Sequence, residues 1–555
     1  VPFRSSFATI DFFRGSQLKN KYFSVLPIGG VEEIGSNMTL IKTDSEQIVI
    51  DCGMLFPYEE CFDIRYLIPD FAAIDAEKLT SIVITHGHED HIGGLAHFLK
   101  TFPNVTLYAT NFTLHLIHKK LEEHKISFKY KLYASGTQLK FNSVDIFPVH
   151  VNHSIPETCG LIVRSKGKEW GALYISDFKV DLESKHEEPI DFKTIRDILS
   201  ECKKTAYFLD STNVLNEGKT TSESELHSGL KSLIEREEER IFITLFASNV
   251  HRMTSIAKMG IACGRKIVIM GRSLKAYMDS AFETGHSDIP MNQLFQPDQV
   301  KGATGKTLVF LSGCQGDFLS ALRRFSYGED GTFKPGPKDL VIFSSKVIPG
   351  NEKKIYRIYN KLTEFGATIV TANDSLIHAS GHPGKDDLKL LMDNFTPDYY
   401  FPIHGESYLL KKHYDFIKNY FPQTTPYLIY NYQEVILGEE VVKIEAHEPR
   451  APRIIHGKFL EIEKTQLSQR RKMATQGAVF ISYHKSVGHI EITTLGLPLM
   501  AQDLIENLKM KLLEQIRKDL ISRQDSYLKD QVRISARQFY NNFLGYKPMT
   551  EVHLY

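Results

Sequence analysis

The chain has little that would tie it to the outside of a cell or to a membrane. Its 555 residues include six cysteines, at positions 52, 61, 159, 202, 263 and 314, with no C-x-x-C pair among them. That spacing fits neither a disulfide scaffold nor a thiolate-ligated zinc site, so a reducing, cytoplasmic setting is expected. No run of about 18 apolar residues occurs, and the opening VPFRSSFATIDFFRGSQLKN lacks the apolar stretch of a signal peptide. Neither export nor a membrane partner is expected. Excess charge is also missing, because 67 Lys+Arg balance 67 Asp+Glu. A polyanionic partner would have to be held by a local patch and not by a global field. Tryptophan occurs once, yet 35 Phe, 25 Tyr, 42% hydrophobic and 24% charged residues are ordinary for a folded chain and exclude a disordered one. Internal repeats and low-complexity tracts are absent from the sequence as well.

At roughly 150 residues per domain, this length predicts three to four domains. Residues 1–20 read as a flexible arm. From 21 to 211, short β-type runs such as YFSVLPIGG, QIVIDCG, VDIFPVHV, ALYISD and TAYFLDST are broken by Gly, Asn and Pro, with few helical patterns between them. This predicts two packed sheets with outer helices. Over 212–372 the rhythm changes to helix then strand (VHRMTSIAKMGIACG then KIVIMG; IYRIYNKLTEFG then ATIVT), which predicts a parallel α/β domain. Short apolar runs return over 373–450, so 212–372 reads as an insertion into the first domain. Residues 451–465, around EPRAPR and KTQLSQRRK, read as a linker. The remaining 466–555 read as a small C-terminal domain, in which Leu504, Leu508, Leu512, Ile516 and Leu520 recur every fourth residue and form one apolar helix face.

The segment Thr85-His86-Gly87-His88-Glu89-Asp90-His91 follows the β-type run SIVIT and precedes Ile92-Gly93-Gly94 and a helical pattern. Three imidazoles and a carboxylate on one strand-to-helix turn can converge on a borderline-soft divalent ion, zinc or manganese. An exposed histidine cluster is the bland alternative. Asp51, closing QIVIDCG, can orient a ligating imidazole from behind. Arg272, in KIVIMGRS, follows a β-type run of the inserted domain, where a guanidinium can grip a phosphate or serve in an ion pair. Phe56 and Tyr58 can stack on single-stranded bases or be buried. Gly305-Lys306-Thr307 is no phosphate loop, since Val300 stands where a glycine is needed and a β-type run follows.

The H-x-H-x-D-H turn resembles the metallo-β-lactamase superfamily, whose members hold two divalent metal ions at the edge of a four-layered αββα sandwich. The resemblance implies further ligands. His153 in VNHSIPET matches one, with His150 as the alternative; Asp177 in LYISDFKVD matches the bridging carboxylate, with Asp181 left on the surface; His404 in YYFPIHGE matches the last. The inserted unit, together with Asp210 in FLDSTN and His382 in HASGH, resembles the β-CASP nucleases. More closely, GGVEEIGSNM, THGHEDHIGG, HSIPET, SDFK, LDSTN, GRS, SGCQGD, FSSKVIPGNE, HASGH and PIHGE, in that order over residues 22–445, are similar to the ribonuclease J family. Cys314 and Asp317 depart from the Ser and Glu common in that family, and Leu376-Ile377 replace small residues before HASGH.

That resemblance implies an α/β protein: an αββα metallo-β-lactamase sandwich with an inserted parallel α/β β-CASP domain and a small α+β C-terminal domain. It implies an RNA-processing and RNA-decay enzyme with 5′-to-3′ exoribonuclease and endoribonuclease activity on single-stranded RNA. Hydroxide bridged between two metal ions, zinc or manganese, would attack the phosphodiester. His86, His88 and His153 would hold one ion, Asp90, His91 and His404 the other, and Asp177 both, with Asp90 also orienting the nucleophile. His382 would act as general acid, oriented by Asp210. His378, Ser380, Gly381 and His382 would offer donors to a 5′-monophosphate end. Homodimers or homotetramers, and contacts with other RNA-decay or ribosomal proteins, are implied in the same way. Two rival readings are another hydrolase of the same fold, which leaves the insertion and HASGH without purpose, and a catalytically inactive RNA-binding subunit, which the complete ligand set opposes.

Overall fold

The computed structural model describes residues 21–57, 64–185, 187–301, 305–439, 442–457, 459–498, 502–519 and 524–555. The expected arm at 1–20 and the residues Tyr58 and Leu520 lie outside them. The described residues form two compact units, one drawn from 21–56 and 67–452, the other from 57–66 and 453–555.

The first unit is built on strands whose residues are β-branched or aromatic and buried almost without interruption, as strands covered on both faces must be. Gln47–Ile50 and Trp170–Ile175 are buried throughout, and Lys204–Asp210 in all but its first residue. An eight-stranded sheet runs in the order Val442–Ala446, Gln433–Gly438, Lys21–Gly29, Met38–Lys42, Gln47–Ile50, Leu79–Val83, Thr106–Ala109, Lys129–Leu132. A seven-stranded sheet runs Thr425–Pro426, Tyr399–Ile403, Lys204–Asp210, Trp170–Ile175, Cys159–Ser165, Val144–His150, Leu139–Lys140.

Side-chain alternation along the second sheet separates two cores. Val163, Ala172, Phe208 and Phe401 meet Phe23, Val25, Ile41 and Ile48 of the first sheet. Their neighbours Ile162, Leu173, Tyr207 and Tyr400 face the other way, onto Ile195, Leu388, Leu391 and Phe416 of outer helices. The lone tryptophan, Trp170, ties the sheets together by donating from Nε1 to Gly438 O at 2.8 Å. On the first sheet's side, helices Leu95–Thr101 and Asn111–Glu122 bury Phe98 and Phe112. These layers form the αββα sandwich.

The insertion is explicit in the topology. Lys204–Asp210 and Tyr399–Ile403 are parallel neighbours, with Asp210 beside Ile403. Between them the chain builds a separate sheet, ordered Leu294–Phe295, Lys266–Met270, Thr307–Leu311, Ile241–Thr244, Leu340–Phe343, Thr368–Val370, in which every pairing is parallel. Its own core joins Phe242, Val309, Phe325, Val341 and Ile355. Helix Lys385–Asn394 belongs again to the first domain, through Leu388, Leu391 and Met392.

In the second unit, Ala478–His484 pairs antiparallel with His489–Leu495 and parallel with Met549–Leu554. Leu508, Leu512 and Ile516 of helix Gln502–Asp519 enter its core with Val532 and Tyr540 of helix Asp525–Leu544. The fourfold leucine spacing therefore serves packing. No described helix is long and apolar enough to cross a membrane.

Phe208 is fully buried and stacks on Phe401 with ring centroids 4.5 Å apart. Phe208→Ala is expected to lower the unfolding free energy by about 3–5 kcal/mol, the cost of an aromatic-sized cavity. Denaturant unfolding monitored by circular dichroism measures it.

Candidate metal centre

Parallel strands Gln47–Ile50 and Leu79–Val83 end side by side, and each delivers a polar turn. Asp51, fully buried and at φ 60°, accepts hydrogen bonds from Thr85 N and Thr85 Oγ1, both at 2.8 Å. Its Oδ2 also lies 2.8 Å from His91 Nδ1. The short helix Glu89–Ile92 then carries Asp90 and His91. The turn closes against Gly53, where a Cβ would sit 1.6 Å from Asp90 O, so only glycine fits there.

The imidazoles are fixed from behind, one by one. Thr85 Oγ1 lies 3.0 Å from His86 Nδ1. His153, just after strand Val144–His150, has Nδ1 2.7 Å from Gly381 O. His404, just after Tyr399–Ile403, has Nδ1 2.9 Å from Asn37 Oδ1. With each Nδ1–H donated outward, Nε2 of His86, His153 and His404 turns inward as a lone pair, and Nε2 of His91 faces the same centre. His88 is reversed: its Nδ1 lies 3.0 Å from His86 Nε2 and 3.1 Å from His153 Nε2. Asp177, which follows Trp170–Ile175, lies among them, 3.1 Å from His91 Nε2, 3.5 Å from His153 Nε2 and 3.6 Å from His404 Nε2.

Three groups of donors have their ligand atoms within 4.8 Å of one another: Asp210, His382 and His404, and two larger ones, His86, His88, His153 and Asp177, and Asp90, His91, Asp177 and His404. The two larger ones fit a pair of divalent cations. Burial pushes His88 down to about 4 and holds His86 and His153 well below the ordinary histidine range, so these three are neutral, as ligation requires. Around His91 the carboxylates of Asp177, Asp90 and Asp51 overcome burial and raise its pKa, a local surplus of negative charge. Asp177 Oδ1 and His404 Nε2 are buried without a hydrogen-bond partner. Buried acceptors left unpaired cost free energy, and a bound cation removes that cost.

Beside this centre stands a dyad. His382 Nδ1 lies 2.7 Å from Asp210 Oδ2, and the His382 ring centroid is 5.2 Å from that of His153 and 5.8 Å from that of His404. Burial opposes a charge on His382, but the Asp210 carboxylate outweighs it and brings the pKa up to about 9. Asp210 and His404 meet because their strands are adjacent. The backbone at His404, at φ 49°, is held by Ser211 N at 3.3 Å and Thr212 Oγ1 at 3.1 Å on its carbonyl oxygen.

In the same loop, Ser380 Oγ accepts from His382 N at 3.1 Å, and Gly381 packs onto the His153 ring, where a Cβ would stand 2.8 Å from Cε1. His378 is half-buried, with Nδ1 3.1 Å from Arg252 Nη1. Arg272 opens helix Arg272–Glu283, is exposed and makes no ion pair among the described residues. Tyr277 of that helix reaches Gly87 O at 3.4 Å. Phe56 is exposed.

Some expectations need correction. Asp181 is not a surface residue: it is buried, 3.1 Å from Lys179 Nζ, and accepts from Ser222 Oγ at 2.7 Å. His150 points away from both donor groups, its Nε2 bonded to Glu188 O at 2.7 Å. Asn37 was missed. It accepts from His404 and offers Nδ2 to Asp90 Oδ2 at 3.3 Å and His91 Nε2 at 3.0 Å. Its only sequence signal is membership of the run GGVEEIGSNM, where an Asn after Gly and Ser reads as a turn residue.

Comparison with known proteins then settles the family. Ribonuclease J 1 of Streptococcus pyogenes is 31% identical over 470 residues, covering 83% of each chain, and ribonuclease J of Sinorhizobium meliloti is 30% identical over 553 residues, covering 95% of this chain and 96% of that one. The chain belongs to the ribonuclease J family. Family models agree: "Metallo-beta-lactamase superfamily" matches residues 31–164, "Ribonuclease J, beta-CASP domain" residues 238–362, and "Zn-dependent metallo-hydrolase RNA specificity domain" residues 367–419. A crystal structure of a protein of unknown function from Enterococcus faecalis V583 shares the fold, with TM-score 0.54 and 14% identity over 75% of this chain and all of that one. As a ribonuclease J family member, the protein is a metal-dependent ribonuclease, and its donor groups are able to hold divalent ions.

Asn37→Ala removes the acceptor behind His404 and the amide beside Asp90. Metal affinity is expected to fall about 10–100-fold, as for other supporting residues behind metal ligands, with the fold retained. Competition with a chelator, followed by metal analysis, measures it.

Proposed function

We propose that the protein degrades and processes single-stranded RNA as a 5′-to-3′ exoribonuclease that also cuts internally. The observation that carries this reading is the Asp210–His382 dyad beside the two donor groups, on the loop that also presents His378 and Ser380. His86, His88 and His153 are assigned to one divalent ion, Asp90, His91 and His404 to the other, and Asp177 to both; zinc is the first candidate and manganese the second. Such ions, when bound, neutralise charge on a phosphoryl group and lower the pKa of water to supply a nucleophile.

The chain's own groups do the rest. Asp90, accepting from Asn37 Nδ2, is placed to orient the attacking water. Asp210 keeps the His382 imidazole protonated and turned inward, so that Nε2–H can be delivered to the leaving oxygen. This predicts fragments ending in 5′-phosphate. His378, Ser380 and the Gly381 backbone provide donors for a 5′-monophosphate, while Arg272 offers a bidentate grip on a phosphate further along the strand. Phe56 offers a stacking surface. We assign residues 21–211 with 373–450 to the catalytic domain, 212–372 to the inserted domain, 451–465 to the linker and 466–555 to the C-terminal domain. Family likeness supports a homodimer or homotetramer in the cytoplasm, in contact with other RNA-decay or ribosomal proteins.

Incubation with 5′-end-labelled and 3′-end-labelled RNA bearing a 5′-monophosphate, with zinc or manganese and then with chelator, tests the reading. Metal-dependent release of mononucleotides from the 5′ end together with internal fragments is expected; RNA binding without cleavage under any metal would overturn it. His88→Ala and Asp90→Ala should each reduce hydrolysis to background while RNA binding persists, and His382→Ala should lower kcat about 10²–10⁴-fold, the usual worth of a general acid. His378→Ala should narrow the preference for 5′-monophosphate over 5′-hydroxyl ends.

A further inference from the structure

Arg252 lies in the first turn of helix Val250–Ala262 of the inserted domain, with its side chain 2% exposed. A buried guanidinium carries five N–H donors that must be satisfied, and the partners of this one are drawn from three separate segments. Nε and Nη2 fork onto the Glu223 carboxylate at 3.0 and 2.6 Å. Nη1 donates to Ser344 O at 3.0 Å, at the end of strand Leu340–Phe343. Nη2 donates to Ala379 O at 3.1 Å, and Nη1 lies 3.1 Å from His378 Nδ1. Ser344 in turn donates from Oγ to Ile377 O at 2.6 Å. The beginning of the 377–382 loop is thus bolted to the inserted domain through a single side chain and the serine beside it.

The contact with His378 also decides a proton. Guanidinium has no acceptor, so a hydrogen bond from Arg252 Nη1 makes His378 Nδ1 the acceptor and puts the ring proton of the neutral imidazole on Nε2, while the Ser344 backbone also lies within hydrogen-bonding reach of the ring. Burial, with the Arg252 charge beside it, pushes the His378 pKa down to about 3, which keeps the ring neutral. An imidazole in that tautomer carries one N–H, on the nitrogen not engaged by Arg252, and can donate it to an oxygen of a phosphate.

We propose that Arg252 is the positioning residue for the phosphate-receiving loop: it sets the loop backbone through Ala379 O and fixes His378 as an Nε2–H donor. Arg252 itself touches neither substrate nor metal. Glu223 holds it in place, with Lys179 Nζ 3.7 Å from the same carboxylate and Asp181 accepting from Glu223 N at 3.0 Å. The proposal rests on the reading that this loop receives the 5′-monophosphate.

The test uses the full-length, metal-loaded enzyme. Values of kcat/KM are measured on matched RNAs with 5′-monophosphate and 5′-hydroxyl ends, together with Tm, for the parent, Arg252→Lys, Glu223→Gln and His378→Ala. Lysine keeps the charge but cannot satisfy the carboxylate, both carbonyls and the imidazole at once. Arg252→Lys is therefore expected to lower the monophosphate-to-hydroxyl ratio about tenfold, the worth of one charge-assisted hydrogen bond, mainly through KM on the monophosphorylated RNA. Glu223→Gln should lower the ratio in the same direction by less. A purely structural role would depress both substrates alike and leave the ratio intact. An unchanged ratio in Arg252→Lys and Glu223→Gln, with His378→Ala still lowering it, overturns the proposal and leaves the loop's function standing. An unchanged ratio in all three overturns the loop's function and the proposal with it. Should Arg252→Lys fail to fold, Glu223→Gln decides alone, a lowered ratio supporting the proposal and an intact one overturning it.

Discussion

The catalytic domain is arranged around imidazole nitrogens that face one another across about 3 Å. His86 Nε2, His88 Nδ1 and His153 Nε2 converge, and Asp177 and His404 add buried acceptors with no protein donor to answer them. Such a cluster is unfavourable on its own account, and the surrounding fold must hold it in place. It does so by giving each imidazole a partner on its outer nitrogen, from Thr85, Asp51, Gly381 and Asn37. Thr85, Asp51 and Asn37 stand at the ends of buried strands, and Gly381 in the loop after the inserted domain.

The second constraint is topological. Asp210 and His404 are close because the two strands that precede them are parallel neighbours, although the whole inserted domain separates them in the chain. The loop that returns from the insertion then places Gly381 against His153 and His382 against Asp210. The loop that follows the inserted domain therefore supports His153 from behind and places His382 beside the donor groups.

This division explains what could be read from the sequence. The THGHEDH turn is legible because its donors are contiguous and the strand before it is unmistakably apolar. The change from irregular β-runs to helix and strand alternation marks the insertion for the same reason, since each element is local. His153, Asp177, His382 and His404 stand alone in their segments and become legible only by resemblance to a family. Asn37, Asp181 and Arg252 were not legible. Asn37 looks like a turn residue until the fold brings it to His404. Asp181 looks solvated until Lys179 and Ser222 are found beside it, in a burial that no periodicity announces. Arg252 reads as one more charge on an amphipathic helix, and its value lies wholly in partners far from it in sequence, at Glu223, Ser344 and Ala379.

The adjacency of Lys204–Asp210 and Tyr399–Ile403 has a consequence for synthesis on the ribosome. Strand Lys204–Asp210 emerges with one edge paired to Trp170–Ile175 and the other open. Its partner is translated roughly 190 residues later, a delay of roughly 10–40 s at ordinary elongation rates of about 5–20 residues per second. During that interval Tyr207, Phe208 and Leu209 wait on an uncovered β-edge, the kind of surface that pairs with the wrong chain. The intervening domain has its own parallel sheet and its own core, so it can fold first and bring the two edges together. In a nascent chain, the insertion would act as the tether that closes the catalytic sheet.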